Sequence, residues 1–152
     1  MMIDSVSTLH PPVLVVDDDA AYTELVRQSL AAGNLLNPVL GCHDGAAALD
    51  YLEGLGAYGD RTRHPLPAVI VTSFRLTGGQ GQQLLRAVRD SILLRHTPVV
   101  VIGNALDDDE VTEAHRLGAT AYLARPLASR VLLDVIRGLG MPWSFSGLQA
   151  TS

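Results

Sequence analysis

Three aspartates in a row, Asp17-Asp18-Asp19, follow the apolar run Val13–Val16, and Ser73 closes a second apolar run over 68–72. Two adjacent carboxylates ending a buried strand need an electrostatic partner. Like charges about 4 Å apart repel by on the order of 4 kcal/mol at an effective dielectric of about 20. A divalent cation is one such partner, and Asp19 reads as the N-cap of the helix that follows. Ser73 offers a hydroxyl, a weak nucleophile without a general base, and no histidine matches a position beside it. A phosphate on Ser73 would add up to about two negative charges next to two aspartates, so the residue reads as a small polar group tolerated at a strand end. Gly78, Gly79 and Gly81 fit no phosphate-loop spacing and lack a following Lys-Ser or Lys-Thr. His10, His43, His64, His96 and His115 include no pair at zinc-ligand spacing.

The composition sets the class of molecule that carries these residues. In 152 residues, 47% are hydrophobic and 18% charged, which fits one globular domain able to bury a core. A net charge of −5, with only 11 scattered Lys and Arg, argues against a nucleic-acid surface. The lone Cys42 can form no internal disulfide, the start lacks the basic and apolar regions of a signal peptide, and the apolar runs are too short to span a bilayer. A cytoplasmic protein without membrane contact is expected.

The positioning elements follow from punctuation and period. Residues 1–12 read as a flexible leader with a Pro11-Pro12 pair, 13–140 as the domain, and 141–152 as a C-terminal tail. The run Val13–Val16 is strand β1, and Ala20–Ala32 is helix α1, closed by Gly33. Val39 and Leu40 begin β2, and Asp44-Gly45 caps a helix α2 carrying Ala48, Leu49, Leu52 and Leu55. A long polar loop, 56–67, leads to β3 at 68–72, then α3 at Gln80–Asp90 and β4 at 98–102. Asp107 with Glu110 three residues on has capping-box spacing and opens α4, which runs to Leu117. Strand β5 is Tyr122-Leu123-Ala124 and helix α5 spans 127–139. Strands alternating with helices predict an α/β fold, a doubly wound five-stranded parallel sheet of flavodoxin-like order 2-1-3-4-5 with five helices. Its ligand edge lies beyond the strand carboxyl ends, where Asp17, Asp18 and Ser73 fall.

The run Pro67-Ala68-Val69-Ile70-Val71-Thr72-Ser73 followed by Phe74-Arg75-Leu76-Thr77-Gly78, taken with Asp17-Asp18, resembles the site of bacterial response-regulator receiver domains. The likeness runs from Val13 to about Leu139. It implies that Ser73 stands where the family has its phosphoacceptor aspartate, so no aspartyl phosphate can form there. It implies a magnesium site built from the pair matched by Asp17 and Asp18, the phosphoacceptor and a backbone carbonyl two residues beyond it. With one acid of three missing, magnesium binding is expected to be weak or absent. Gly103 matches the hydroxyl residue at the end of β4, Arg125 the lysine after β5, and Tyr122 the aromatic switch residue. Arg125-Pro126 is expected to be cis. Arg75, with Arg125, is the expected internal counter-ion of Asp17 and Asp18. No catalytic residue and no enzymatic activity are expected.

The last helix carries a further signal. At about 100° per residue, Leu127, Val131, Leu132, Leu133, Val135, Ile136 and Leu139 cover roughly 240°, wider than a one-sided stripe of ~100°. The resemblance makes the α4-β5-α5 face the usual partner surface, so a homodimer is expected there, with Val131, Leu132, Leu133 and Val135 as its candidates. The long loop and the tail holding Trp143 look like the subgroup that partners bacterial phytochromes. The expected role is a phosphorylation-independent receiver, an adaptor in two-component signalling that meets a sensor histidine kinase, a bacterial phytochrome or another signalling protein. The alternative is a small-anion or nucleotide sensor using space left by Gly103, with Arg75 and Arg125 as anion ligands.

Overall fold

The five strands alternate residue by residue between two apolar layers, and that alternation builds the molecule. A computed structural model describes residues 11–103 and 107–139. Most of the expected leader and the whole tail, Trp143 included, lie outside the described residues. The strands are β1 (Val13–Val16), β2 (Val39–Cys42), β3 (Val69–Ser73), β4 (Val99–Gly103) and β5 (Ala121–Ala124), all parallel in the order β2-β1-β3-β4-β5. The helices are α1 (Ala20–Ala32), α2 (Gly45–Glu53), α3 (Gln80–Asp90), α4 (Asp108–Arg116) and α5 (Ser129–Gly138). This is the flavodoxin-like arrangement expected from the sequence.

Leu14, Val16, Ile70, Val99 and Val101 point to one face of the sheet and pack with Leu52, Leu84, Leu85 and Ala114 of α2, α3 and α4. Val13, Val15, Val69, Val71, Val100 and Ile102 point to the other and pack with Val26, Leu30, Leu132 and Ile136 of α1 and α5. The three central strands are therefore buried at every residue, which is why they read as unbroken apolar runs. Asp19, Asp44 and Asp107 cap their helices by accepting the N–H groups of Ala21, Ala47 and Glu110. Gly54 ends α2 in the left-handed region at φ 71°, leaving Leu55 outside the helix.

Several boundaries move by a residue or two for physical reasons. Pro98 has no N–H to give the ladder, although its carbonyl accepts from Ile70 at 3.0 Å, so β4 begins at Val99 and extends to Gly103. Ser73 pairs with Ile102 and is the last residue of β3. After the cis Arg125-Pro126 bond the backbone is still extended at Ala128, so α5 starts at Ser129.

The long loop is tied down by Arg61, whose guanidinium donates to the carbonyls of Tyr51 (2.8 Å), Leu52 (2.8 Å) and His64 (3.0 Å). The Tyr51 hydroxyl donates to the Pro65 carbonyl at 2.6 Å, and the Tyr58 and His64 rings pack beside it.

The apolar arc of α5 is mostly covered from within. Leu132 and Leu133 were expected at a dimer face, but both are buried against α1 and the sheet. A Cβ at Gly33 would lie 2.5 Å from the Leu133 side chain, so that glycine lets α1 and α5 approach closely. Val131 is 45% exposed, and Val135 is half-buried.

Candidate functional site

Register brings the chemistry to one edge. Val16 pairs with Thr72, Ser73 with Ile102 and Gly103 with Ala124, so Asp17, Ser73, Gly103 and Arg125 all sit at the carboxyl ends of adjacent strands. Asp17 is 3% exposed and Ser73 7% exposed, while Asp18 is exposed. One oxygen of Asp17 accepts the Asp19 N–H at 2.9 Å, and the other accepts Arg125 Nη2 at 2.8 Å. The same Nη2 lies 3.3 Å from Ser73 Oγ. The Arg125 guanidinium also rests 3.9 Å from the centroid of the Tyr22 ring, over its π face. Burial raises the Tyr22 phenol pKa, and Arg125 partly offsets this.

Arg75 does not take the role expected of it. Its Nε donates to Glu110 Oε1 at 2.5 Å and its Nη2 to Asp107 Oδ2 at 2.7 Å, both acids belonging to the start of α4. The acids of α4 hold it across the mouth of the site, and Arg125 is the counter-ion of Asp17.

The Glu110 side chain is 1% exposed, and its second oxygen accepts the Tyr122 hydroxyl. Burial, then this bond to Glu110, raises the Tyr122 phenol pKa. A Cβ built on Gly103 would overlap both Glu110 Oε2 and Tyr122 Oη. The space that the sensor alternative assigned to a ligand is thus filled by the protein's own side chains, and Arg75 is already engaged. That expectation is corrected here.

Glu110 and Tyr22 are the site residues that sequence reasoning missed. Glu110 read as a first-turn capping acid, and Asp107 does accept its N–H at 3.1 Å, but its carboxylate is drawn inward between Arg75 and Tyr122. The available signal was the pairing of a side-chain-free strand end at Gly103 with an acid in the next helix. Gly81 serves as more than a turn residue, since a Cβ there would lie 2.8 Å from the Ser73 carbonyl oxygen. Gly78 and Gly79 are left-handed turn residues at φ 69° and 75°.

The donor set differs from the three-carboxylate magnesium site that the resemblance implies. Two carboxylates and a hydroxyl stand there, and one carboxylate carries a guanidinium. A cation needing near-octahedral oxygen ligands fits this set poorly. Among the described residues no three His, Cys, Asp or Glu side chains converge in a way that could hold a metal.

The parallel 2-1-3-4-5 sheet with acids at its carboxyl edge is the architecture of a receiver, and the family model for the response regulator receiver domain matches residues 13–137. The chain belongs to that family. It is 26% identical over 136 residues to response regulator Rcp1 of Synechocystis, covering 88% of this chain and 90% of that one. The solved bacteriophytochrome response regulator RtBRR is 33% identical with a TM-score of 0.76, over 91% of this chain and 81% of that one. AtBRR, another bacteriophytochrome response regulator, is 29% identical with a TM-score of 0.77, over 91% and 99%. The chain is thus similar to phytochrome-associated response regulators along most of its length. No helix among the described residues is long and apolar enough to cross a membrane.

Proposed function

We propose that this receiver signals without being phosphorylated and without a bound metal, and that it acts as an adaptor through protein contacts. The observation that carries the reading is the Arg125 guanidinium, which donates to both Asp17 and Ser73. One positive side chain thereby neutralises the buried acid and lies against the hydroxyl at the phosphoacceptor position. A serine there cannot form an acyl phosphate, and its hydroxyl is met by the Arg125 guanidinium. The likeness to RtBRR and AtBRR supports a sensor histidine kinase of the bacterial phytochrome class as the partner.

The output surface on this reading is the α4-β5-α5 face, used for a homodimer. Support comes from Val131 and Val135, four residues apart on α5 and neither fully buried. Val131 is its most open member, and Leu132 and Leu133 are excluded by burial.

Calorimetric titration with magnesium and intact mass after incubation with acetyl phosphate test the site together. No saturable binding below about a millimolar and no added phosphoryl mass are expected, since the usual carboxylate cage is incomplete. Saturable binding or an added phosphoryl group would sink the reading.

A further inference from the structure

The carboxylate of Glu110 ties three separate elements together at a point where the backbone supplies no side chain. Arg75 reaches it from the loop after β3, Tyr122 from β5, and the residue itself opens α4. Asp107 completes the arrangement by accepting the Glu110 N–H on one oxygen and Arg75 on the other. Gly103, at the end of β4, leaves the volume that Glu110 Oε2 and Tyr122 Oη occupy. Tyr122 lies on β5, the edge strand among the described residues, where its ring packs against the core and its hydroxyl meets Glu110.

We propose that Glu110 is a resident anionic latch: its buried carboxylate holds Tyr122 in one position and so fixes the α4–β5 surface in a single state. The inference deepens the phosphorylation-independent reading above and rests on it. A carboxylate shared between a guanidinium and a phenol makes charge-assisted hydrogen bonds, the strong class for a small contact. Because the anion belongs to the chain, the surface is set on folding and requires no transferred group. Glu110 acts through Tyr122 and is a positioning residue.

The test uses the full chain labelled with 3-fluorotyrosine, whose four tyrosines give separable fluorine resonances, Tyr122 being assigned with Tyr122→Phe. The wild type should show one sharp Tyr122 line. In Glu110→Gln, which keeps size but removes charge, that line should shift or split. Amide exchange in Ala121–Ala124 should quicken about tenfold, the loss expected for a hydrogen bond to a charged group. Gly103→Ser, which puts atoms into the same volume with Glu110 intact, should move the line in the same way. An unmoved line with unchanged exchange in both folded variants overturns the latch. If either fails to fold, Tyr122→Phe, which deletes the hydroxyl that Glu110 accepts, decides by amide exchange in Ala121–Ala124: quickening supports the latch and unchanged exchange overturns it. A wild-type line that moves with acetyl phosphate and magnesium would instead defeat the phosphorylation-independent reading, a result distinct from failure of the latch.

Discussion

Arg125 and Arg75 both reach the carboxyl edge of the sheet, and they meet buried acids in different settings. Arg125, with a side chain 36% exposed and its guanidinium over the Tyr22 ring, meets Asp17, which already accepts a backbone N–H. Arg75 is 67% exposed, yet its partner Glu110 is 1% exposed and shared with Tyr122 in space that Gly103 leaves. At the first site a cationic side chain sits against a buried acid, and loss of the cation leaves the acid with one backbone donor. At the second an acid fills the place of a side chain, and its neighbours cannot shift without breaking contacts to three elements. The comparison teaches that an arginine's own exposure says little about how firmly its site is built; the burial of the acid and the number of elements meeting there say more.

Gly103→Val should break the second site with the largest effect. The added branches collide with Glu110 and Tyr122, and overpacking of this kind costs about 3 kcal/mol. Urea denaturation reads the loss as a lower midpoint with an unchanged slope. Gly138→Ala is the control, because a Cβ there meets nothing within 4 Å. A Gly103→Val variant as stable as the wild type would mean that Glu110 and Tyr122 yield freely, and the contrast between the sites would collapse.

What the sequence made legible divides along the same line. The central strands were plain because burial on both faces removes polar interruptions, and the aspartate caps were plain because capping is local. The bounds of α3 and the strand order followed from period and alternation. Arg125 was identified through the resemblance, which matches it to the family's lysine after β5, and the structure brings it to Asp17. Arg75 was given the wrong acids, because choosing between Asp17 and the α4 pair depends on where a long side chain turns. Leu133 was placed outward because a wide apolar arc does not reveal which neighbour covers it, and the close approach at Gly33 is a tertiary fact. Glu110 was read locally as a first-turn acid, and its carboxylate's partners are 35 residues before it and 12 after.

Arg125→Ala sharpens the comparison from the other side. It leaves Asp17 buried with a backbone donor but no cation, and a cost of about 2 kcal/mol is expected, below that of a fully buried pair because the guanidinium is partly in water. Adding Asp17→Asn should recover much of the loss, since the uncompensated charge then disappears. Arg75→Ala should cost less, because solvent screens its exposed head while Tyr122 still donates to Glu110. Equal losses in the two alanine variants, measured by denaturation at one ionic strength, would erase the distinction between the sites.

The smallest effect is expected at high pH, where Tyr122 becomes the weak member of the second site. Its phenol pKa is raised above the ordinary 10.0 by burial and by the bond to Glu110. The folded state then keeps a proton that the unfolded chain gives up. This contribution is complete below pH 10 and is lost as pH rises through the folded value, because ionised Tyr122 would face the Glu110 carboxylate. Tyr51, pushed up to about 12 chiefly by burial, adds to the same decline. Denaturation midpoints should therefore fall between pH 10 and about 12. Tyr122→Phe should flatten that fall by about 1 kcal/mol or less, given partial exposure of the ring. An identical alkaline slope in the variant would show that the phenol's proton plays no part in holding β5 against α4, leaving packing of the ring to do so.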